Sequence, residues 1–285
     1  MPGRTELSFR TFFTAAVLAA CPLVGSAEVT YLGTYIWNER HVGGVSGLEL
    51  SDDGSSFVAI SDRSILYRGT ITRDGDRITG VTAEKLGLRR PDGGEMRDDT
   101  EGLAVAPDGT AWISLEGEAR VLRYSQLDGV PTELPAHPDF AGMRDNRALE
   151  ALALAPDGSL YTLPEVPGDD GLFPVYRYAG GTWSIAFRLR PREGFMAVGA
   201  DFGPDGALYL LGRKLGPFGF RSQVRRIVPG TMDETVLLTT PYNQHDNLEG
   251  LAVWQDESGA IRLTMIADDN FYPIQQTEIV EYRLD

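Results

Sequence analysis

An all-β, five-bladed β-propeller closed by its own N-terminal strand is the fold this sequence predicts, and three observations predict it. One segment type recurs five times, each copy opens a β-hairpin, and the copies stand about 50 residues apart. The segments are Ser46 to Gly54, Glu101 to Gly109, Glu150 to Gly158, Val198 to Gly206 and Glu249 to Gly259. Three of them end in Pro-Asp-Gly, which supplies the fixed and the positive φ angles that a tight reversal needs.

Each turn leads into a run of β-formers: Phe57 to Ser61, Ala111 to Leu115, Leu160 to Leu163, Leu208 to Leu211 and Arg262 to Ile266. Further strand-like runs follow, such as Ile65 to Arg68, Val121 to Tyr124, Val175 to Tyr178 and Val224 to Val228, and no stretch holds a helical period. The second position of each copy falls at 47, 102, 151, 199 and 250. A hairpin repeat of that period makes propeller blades of four strands. After Gly250 the chain is one strand short of a blade, and Val29 to Trp37 supplies it by pairing beside Thr277 to Leu284. The alternative, six blades, needs a degenerate sixth copy for which the spacings leave no room.

Residues 28–285 therefore read as one propeller domain, preceded by a leader over residues 1–27. Arg4 and Arg10 precede an apolar run from Thr11 to Val24, and Gly25-Ser26-Ala27 forms a small-residue cleavage site. This predicts a periplasmic or secreted protein. Leu18-Ala19-Ala20-Cys21 also fits a lipobox, so the alternative is a lipoprotein anchored through Cys21. Pro22 breaks the apolar run, which is too short to span a bilayer, so no transmembrane segment is expected. Cys21 is the chain's one cysteine, which leaves the propeller without disulfides and dependent on its core, its closure or a metal.

The net charge of −15, from 26 basic and 41 acidic residues, opposes a phosphate backbone or an anionic membrane surface. It excludes nucleic acid as the natural partner and fits a protein that gathers cations. Partner proteins are not legible.

Asp99-Thr-Glu-Gly-Leu-Ala before Pro107, Asn146 to Leu154 before Pro156, and Asp246-Asn-Leu-Glu-Gly-Leu-Ala with Ala267 to Phe271 and Gln276-Thr277 carry a family likeness. They resemble the bacterial phytase-like family, also described as having the esterase-like activity of phytase. The resemblance spans nearly all of residues 40–284 and implies an exported hydrolase acting on a phosphate ester or related ester, with a small, anionic substrate.

In a propeller the first strand of each blade lines the axis, so Ser46, Glu101, Glu150 and Glu249 share one ring there, with Val198 as the exception. Three converging carboxylates repel unless a cation or protons neutralise them. Hard oxygen donors suit Ca²⁺, the expected cofactor. The ring also resembles that of calcium-activated nucleotidases. The competing account has each glutamate capping its strand by accepting backbone N–H bonds. The same face receives the ends of the second strands and their lead-in loops, among them Asp62-Arg63, Glu116, Glu165, Arg213-Lys214, Asp268 to Asn270, Arg97 to Asp99, Arg144 to Arg147 and His245 to Asn247. From these, Asp62, Glu116, Arg213, His245 and Asp268 are the candidate catalytic residues, and Arg63, Arg147 and Arg213 are candidate anion clamps. The competing account for any one of them is a solvated ion pair.

Overall fold

The computed structural model describes residues 28–143, 148–231 and 233–285. The expected leader with Cys21, together with Arg144 and Arg147, lies outside the described residues. Five four-stranded antiparallel sheets stand around one axis, the first four formed by chain-consecutive strands. Blade 1 holds β2 (Val45–Leu50), β3 (Ser56–Ser61), β4 (Ile65–Asp74) and β5 (Arg77–Gly87). Blade 2 holds β6 (Thr100–Val105), β7 (Ala111–Leu115), β8 (Arg120–Tyr124) and β9 (Thr132–Glu133). Blade 3 holds β10 (Leu149–Leu154), β11 (Leu160–Pro164), β12 (Phe173–Ala179) and β13 (Thr182–Leu189). Blade 4 holds β14 (Met196–Phe202), β15 (Leu208–Gly216), β16 (Gly219–Val228) and β17 (Asp233–Thr239).

Blade 5 closes the ring. It comprises β18 (Asn247–Gln255), β19 (Ile261–Asp268), β20 (Glu278–Leu284) and β1 (Val29–Ile36). β1 runs antiparallel to β20 from Val29 opposite Leu284 to Ile36 opposite Glu278. The ring is therefore five-bladed and closed as expected, because a sheet edge left open here would expose a whole ladder of backbone groups. Arg73 on blade 1 reaches Glu281 on blade 5 at 2.6 Å, a pair almost wholly buried. Trp37 is packed edge-on against Phe57 and Tyr67 in the same seam. No helix among the described residues is long and apolar enough to cross a membrane.

The repeated turn explains the repeated sequence. Gly54, Gly109, Gly158, Gly206 and Gly259 all take positive φ, between 67° and 86°. In each turn an aspartate accepts the backbone N–H two residues on, as Asp108 does from Thr110 at 2.9 Å. These turns lie at the far end of the axis, so the loops that vary between blades gather at the other end.

A second regularity is visible only in three dimensions. Every inner strand carries a β-bulge at the same place, between Val45 and Gly47, Thr100 and Leu103, Leu149 and Ala151, Ala197 and Gly199, and Leu248 and Gly250. The bulged residues are Ser46, Glu101 with Gly102, Glu150, Val198 and Glu249. A bulge re-aims the side chain it carries, here out of the blade seam and onto the axis. Glycine follows in four of the five because the inner strands approach too closely for a Cβ: one at Gly199 would lie 2.3 Å from the Glu249 carbonyl oxygen. Below this ring Leu48, Leu103, Leu152, Ala200 and Leu251, all buried, plug the axis. The channel is a cup with an apolar floor.

Candidate functional site

The cup is built in two tiers, each taking one residue from every blade. The lower tier is the bulge ring, Ser46, Glu101, Glu150, Val198 and Glu249. The upper tier comes from the ends of the second strands: Asp62, Glu116, Glu165, Arg213 and Asp268. Backbone bonds fix that tier to the lead-in loops, Asp62 N–H to Gly44 O at 2.8 Å, Glu116 N–H to Asp99 O at 3.0 Å and Glu165 N–H to Ala148 O at 3.2 Å.

The two tiers interlock at blade 4. That blade supplies Val198 where the others supply Ser or Glu, and it supplies the only cation of the upper tier. The Arg213 guanidinium donates to Glu165 at 2.8 Å, to Asn247 Oδ1 at 3.0 Å and to Glu249. Asn247 in turn donates to Glu249 at 2.9 Å. Burial disfavours the charged guanidinium, but Glu249, Glu150 and Glu165 more than offset this and hold its pKa above the usual arginine value. Arg213 is thus an internal counter-ion for carboxylates of blades 3 and 5, rather than a free clamp.

One guanidinium faces seven carboxyl groups in the two tiers. Burial, then the charges of Glu150, Glu249, Asp99 and Glu116, push Glu101 well above the carboxylate range. Burial, Glu116, Glu249 and Glu165 do the same to Glu150 against the pull of Arg213. Burial, with Asp268 and Asp62 adding and Arg213 opposing, takes Glu249 to about 8. Burial and Asp99 take Glu116 to about 7, burial with Asp268 and Asp99 takes Asp62 to about 7, and burial with Asp269 takes Asp268 to about 6. Among the described residues, no nitrogen donor bonds the Glu101 or Glu150 carboxylate. The strand-capping account of these glutamates therefore lacks the N–H bonds it requires.

Metal-binding chemistry fits this donor set. The Ser46 hydroxyl is buried on the cup wall without a hydrogen-bond partner, and so is Asp62 Oδ1. The axial cavity beside Ser46 and Glu150 is about 10 Å³, room for one water-sized sphere. The one acidic triple whose oxygens all lie within 4.8 Å of one another, among the described residues, is Asp99, Glu101 and Glu116. It shares Glu101 with the expected ring, but Glu150 and Glu249 do not come within that distance as part of such a group, and Arg213 engages Glu249.

His245 is not brought to the cup. Its Nε2 pairs with the Tyr282 hydroxyl at 2.7 Å, its ring packs against Tyr31 and Tyr282, and burial lowers its pKa to about 4. It sits under the closing strands, where its role is to fill the seam. Arg63 stands at the rim over the Phe271 ring. Asp99, named in sequence only within a lead-in loop, proves to be part of the acidic cluster, and its adjacency to Thr100 and Glu101 was the available signal.

Residues 40–271 match the family described as phytase-like, esterase-like activity of phytase. The chain belongs to the phytase-like family. No curated protein sequence matches this phytase-like chain significantly. Among solved structures, it is similar to one proposed to be a gluconolactonase (16% identity, TM-score 0.50, covering 92% of this chain and 95% of that one). It is also similar to the PQQ-bound aldose sugar dehydrogenase of Streptomyces coelicolor (12% identity, TM-score 0.49, 91% and 99%). A third is virginiamycin B lyase of Staphylococcus aureus (15% identity, TM-score 0.45, 90% and 100%). At these identities the likeness concerns the propeller fold alone.

Proposed function

We propose that this phytase-like propeller is an exported, calcium-dependent hydrolase that cleaves a phosphate ester or related ester in the axial cup. The observation that carries the reading is the gathering of seven carboxyl groups, six buried and Asp62 half-buried, around one guanidinium, with Glu101 and Glu150 bonded by no nitrogen donor. Such a cluster is stable only with protons or a cation, and its all-oxygen donors select a hard one. Glu101, Glu150 and Glu249 with Ser46 would hold Ca²⁺, Asp99 and Glu116 joining from blade 2. When bound, the cation supplies positive charge where an ester oxygen becomes anionic.

The chain's own residues supply the rest. Asp62, with a pKa near 7 and an Oδ1 that no donor engages, is suited to take a proton from water at neutral pH. Glu116 is tuned alike and can return a proton to the leaving group. Asp268 orders the rim by accepting the Asn270 N–H at 2.7 Å. Arg213 holds the Glu165 and Glu249 side chains in place and opposes the burial that raises Glu249. The reading places the leader on residues 1–27, with export to the periplasm or beyond, or anchoring through Cys21.

The second reading, a non-catalytic propeller with a structural axial cation, is favoured by one observation: both terminal nitrogens of Arg213 are taken up by the protein's own Glu165, Asn247 and Glu249. A calcium-dependent hydrolysis screen of the chain from residue 28 separates them, using phytate, nucleotides, aryl phosphates and short aryl esters. The hydrolase reading expects turnover of at least one, abolished by chelator. Calcium binding with no turnover would favour the second.

A further inference from the structure

Two apolar tips stand at the cup end of the propeller, on adjacent blades. The first is the ribbon of β15 and β16, which runs on past Arg213 through the pairs Lys214 with Arg221, Leu215 with Phe220 and Gly216 with Gly219. The corresponding hairpins of blades 1 and 2 stop at the cup wall, where Ser61 faces Ile65 and Leu115 faces Arg120. At the ribbon's end Phe218 is 76% exposed and Leu215 64%. The second tip is the loop after β19, where Tyr272 is 63% exposed and Ile274 92%. Nine large apolar side chains are exposed among the described residues, and with Phe271 these two tips hold five of them. Each tip is an uncharged run, residues 215–220 and 270–277, in a chain of which 24% is charged.

The fold braces these tips. The Tyr242 ring packs over the ribbon at Gly216, where a Cβ would meet it at 2.5 Å, and Asn243 N–H donates to Phe220 O at 2.8 Å. Three residues on, Asp246 accepts from Gln275 Nε2 at 2.8 Å and from Gln276 N–H at 2.9 Å, which holds the second tip. Asn270 and Phe271 take left-handed backbone, φ 47° and 51°, pinned where Asp268 and Asp269 accept their N–H groups. One segment, residues 242–246, thus fixes both tips while their side chains stay in water.

Shape and charge identify what the tips meet. They line none of the larger cavities, which argues against a small apolar ligand. Two convex tips do not make the roughly 800 Å² of matched surface per partner that a stable protein interface needs, whereas a bilayer moulds itself around them. Each tip joins an aromatic to an aliphatic side chain, a pairing that settles at the boundary between headgroups and acyl chains. Lys214 and Arg221 face each other at the ribbon's base, just below the apolar run, at the level of headgroup phosphates once the tip is inserted. Lys214 donates to the Glu193 carbonyl and Arg221 stands 3.8 Å from its carboxylate, solvent-side contacts that a phosphate can replace. Across the mouth, blade 2 presents the exposed, acidic Glu118, so the surface is met on one side only. The chain's net charge of −15 repels an anionic bilayer, so the fitting surface is zwitterionic.

We propose that the tips of blades 4 and 5 seat this protein on a lipid surface, with the cup mouth at the edge of the contact. The inference goes beyond the hydrolase reading and does not depend on it, since the contact needs neither calcium nor turnover. Joined to that reading, it makes the substrate an ester presented at a lipid–water boundary.

Flotation of the closed propeller, residues 28–285, with phosphatidylcholine vesicles in chelator tests this. The wild type should float with the vesicles. Phe218→Ser combined with Ile274→Ser should lower the partition coefficient at least about tenfold, and Leu215→Ser with Tyr272→Ser should repeat the loss from the other residue of each tip. Val236→Ser, at an exposed apolar position on β17 away from the tips, should change it by less than about twofold. A wild type that stays with the soluble fraction, or flotation that survives both double substitutions, overturns the proposal. So does binding that appears only with calcium, which would mean headgroups bridged at the cup. Self-association in sedimentation velocity that the tip substitutions abolish, without flotation of the wild type, assigns the tips to a second copy and overturns it too. A protein that floats but hydrolyses no ester loses the hydrolase reading and keeps this one; hydrolysis of soluble esters without flotation does the reverse.

Discussion

The two ends of the propeller axis hold buried carboxyl groups under opposite conditions. At the far end, three residues along the inner strands from the bulge ring, Glu49 and Asp201 face each other beyond the leucine layer. Asp201 accepts N–H bonds from Phe202 at 2.7 Å and Val253 at 2.6 Å, and Glu49 accepts one from Val105. There the carboxylates tie neighbouring inner strands together. At the cup end the glutamates occupy bulges, which remove them from the ladder, and the backbone offers them nothing. The comparison teaches that burial alone does not mark a functional acid. What separates the ends is whether the fold itself supplies the hydrogen bonds that offset desolvation.

The comparison can be broken at several strengths. Deleting residues 28–38 removes β1 and should abolish both ends at once, seen as loss of the cooperative unfolding transition, because the ring cannot close; a merely frayed blade 5 with an intact transition would contradict it. Arg213→Ala strikes the cup alone. It leaves Glu165 and Glu249 buried and unpaired, which should lower unfolding free energy by about 3–5 kcal/mol without calcium, and excess calcium should return part of that. Glu150→Gln should keep the fold and reduce calcium affinity by roughly tenfold, equivalent to about 1.4 kcal/mol, measured by calorimetric titration.

The smallest effect belongs to the far end. Burial raises Asp201 to about 7, and burial with the Asp201 charge raises Glu49 well above its usual value. Unfolded, both titrate near pH 4. The native state therefore holds these protons more tightly, so this contribution to stability is complete below about pH 4 and is lost as pH rises toward 7. Glu49→Gln should flatten that decline in urea unfolding while leaving calcium affinity unchanged. A change in calcium affinity would merge the two ends.

How much of this was legible in sequence follows from where repetition acts. The Pro-Asp-Gly turns and the apolar inner strands repeat because each blade needs the same reversal and the same seam, so five blades and their closure were readable. The outer strands β5, β9 and β13 face solvent and carry mixed polar residues, which is why, β1 apart, only inner and middle strands stood out. The ring of Ser46, Glu101, Glu150 and Glu249 was visible as a column in the repeat. Its aim onto the axis depends on bulges that no residue type announces. Arg213 read as a free clamp because its partners, Glu165 and Glu249, come from two other blades. His245 sits next to a repeat motif in sequence, yet its side chain turns beneath the closing strands. The turn at Phe271 depends on a backbone conformation that its sequence disfavours.

The central claim is that the cup is a cation site which the fold cannot satisfy by itself. The most direct test is the melting temperature of the chain from residue 28 with calcium and with chelator, alongside Glu150→Gln and Glu49→Gln. The account predicts a calcium-dependent rise in the wild type and in Glu49→Gln, and a smaller rise in Glu150→Gln. A wild-type melting temperature that chelator leaves unchanged would contradict it.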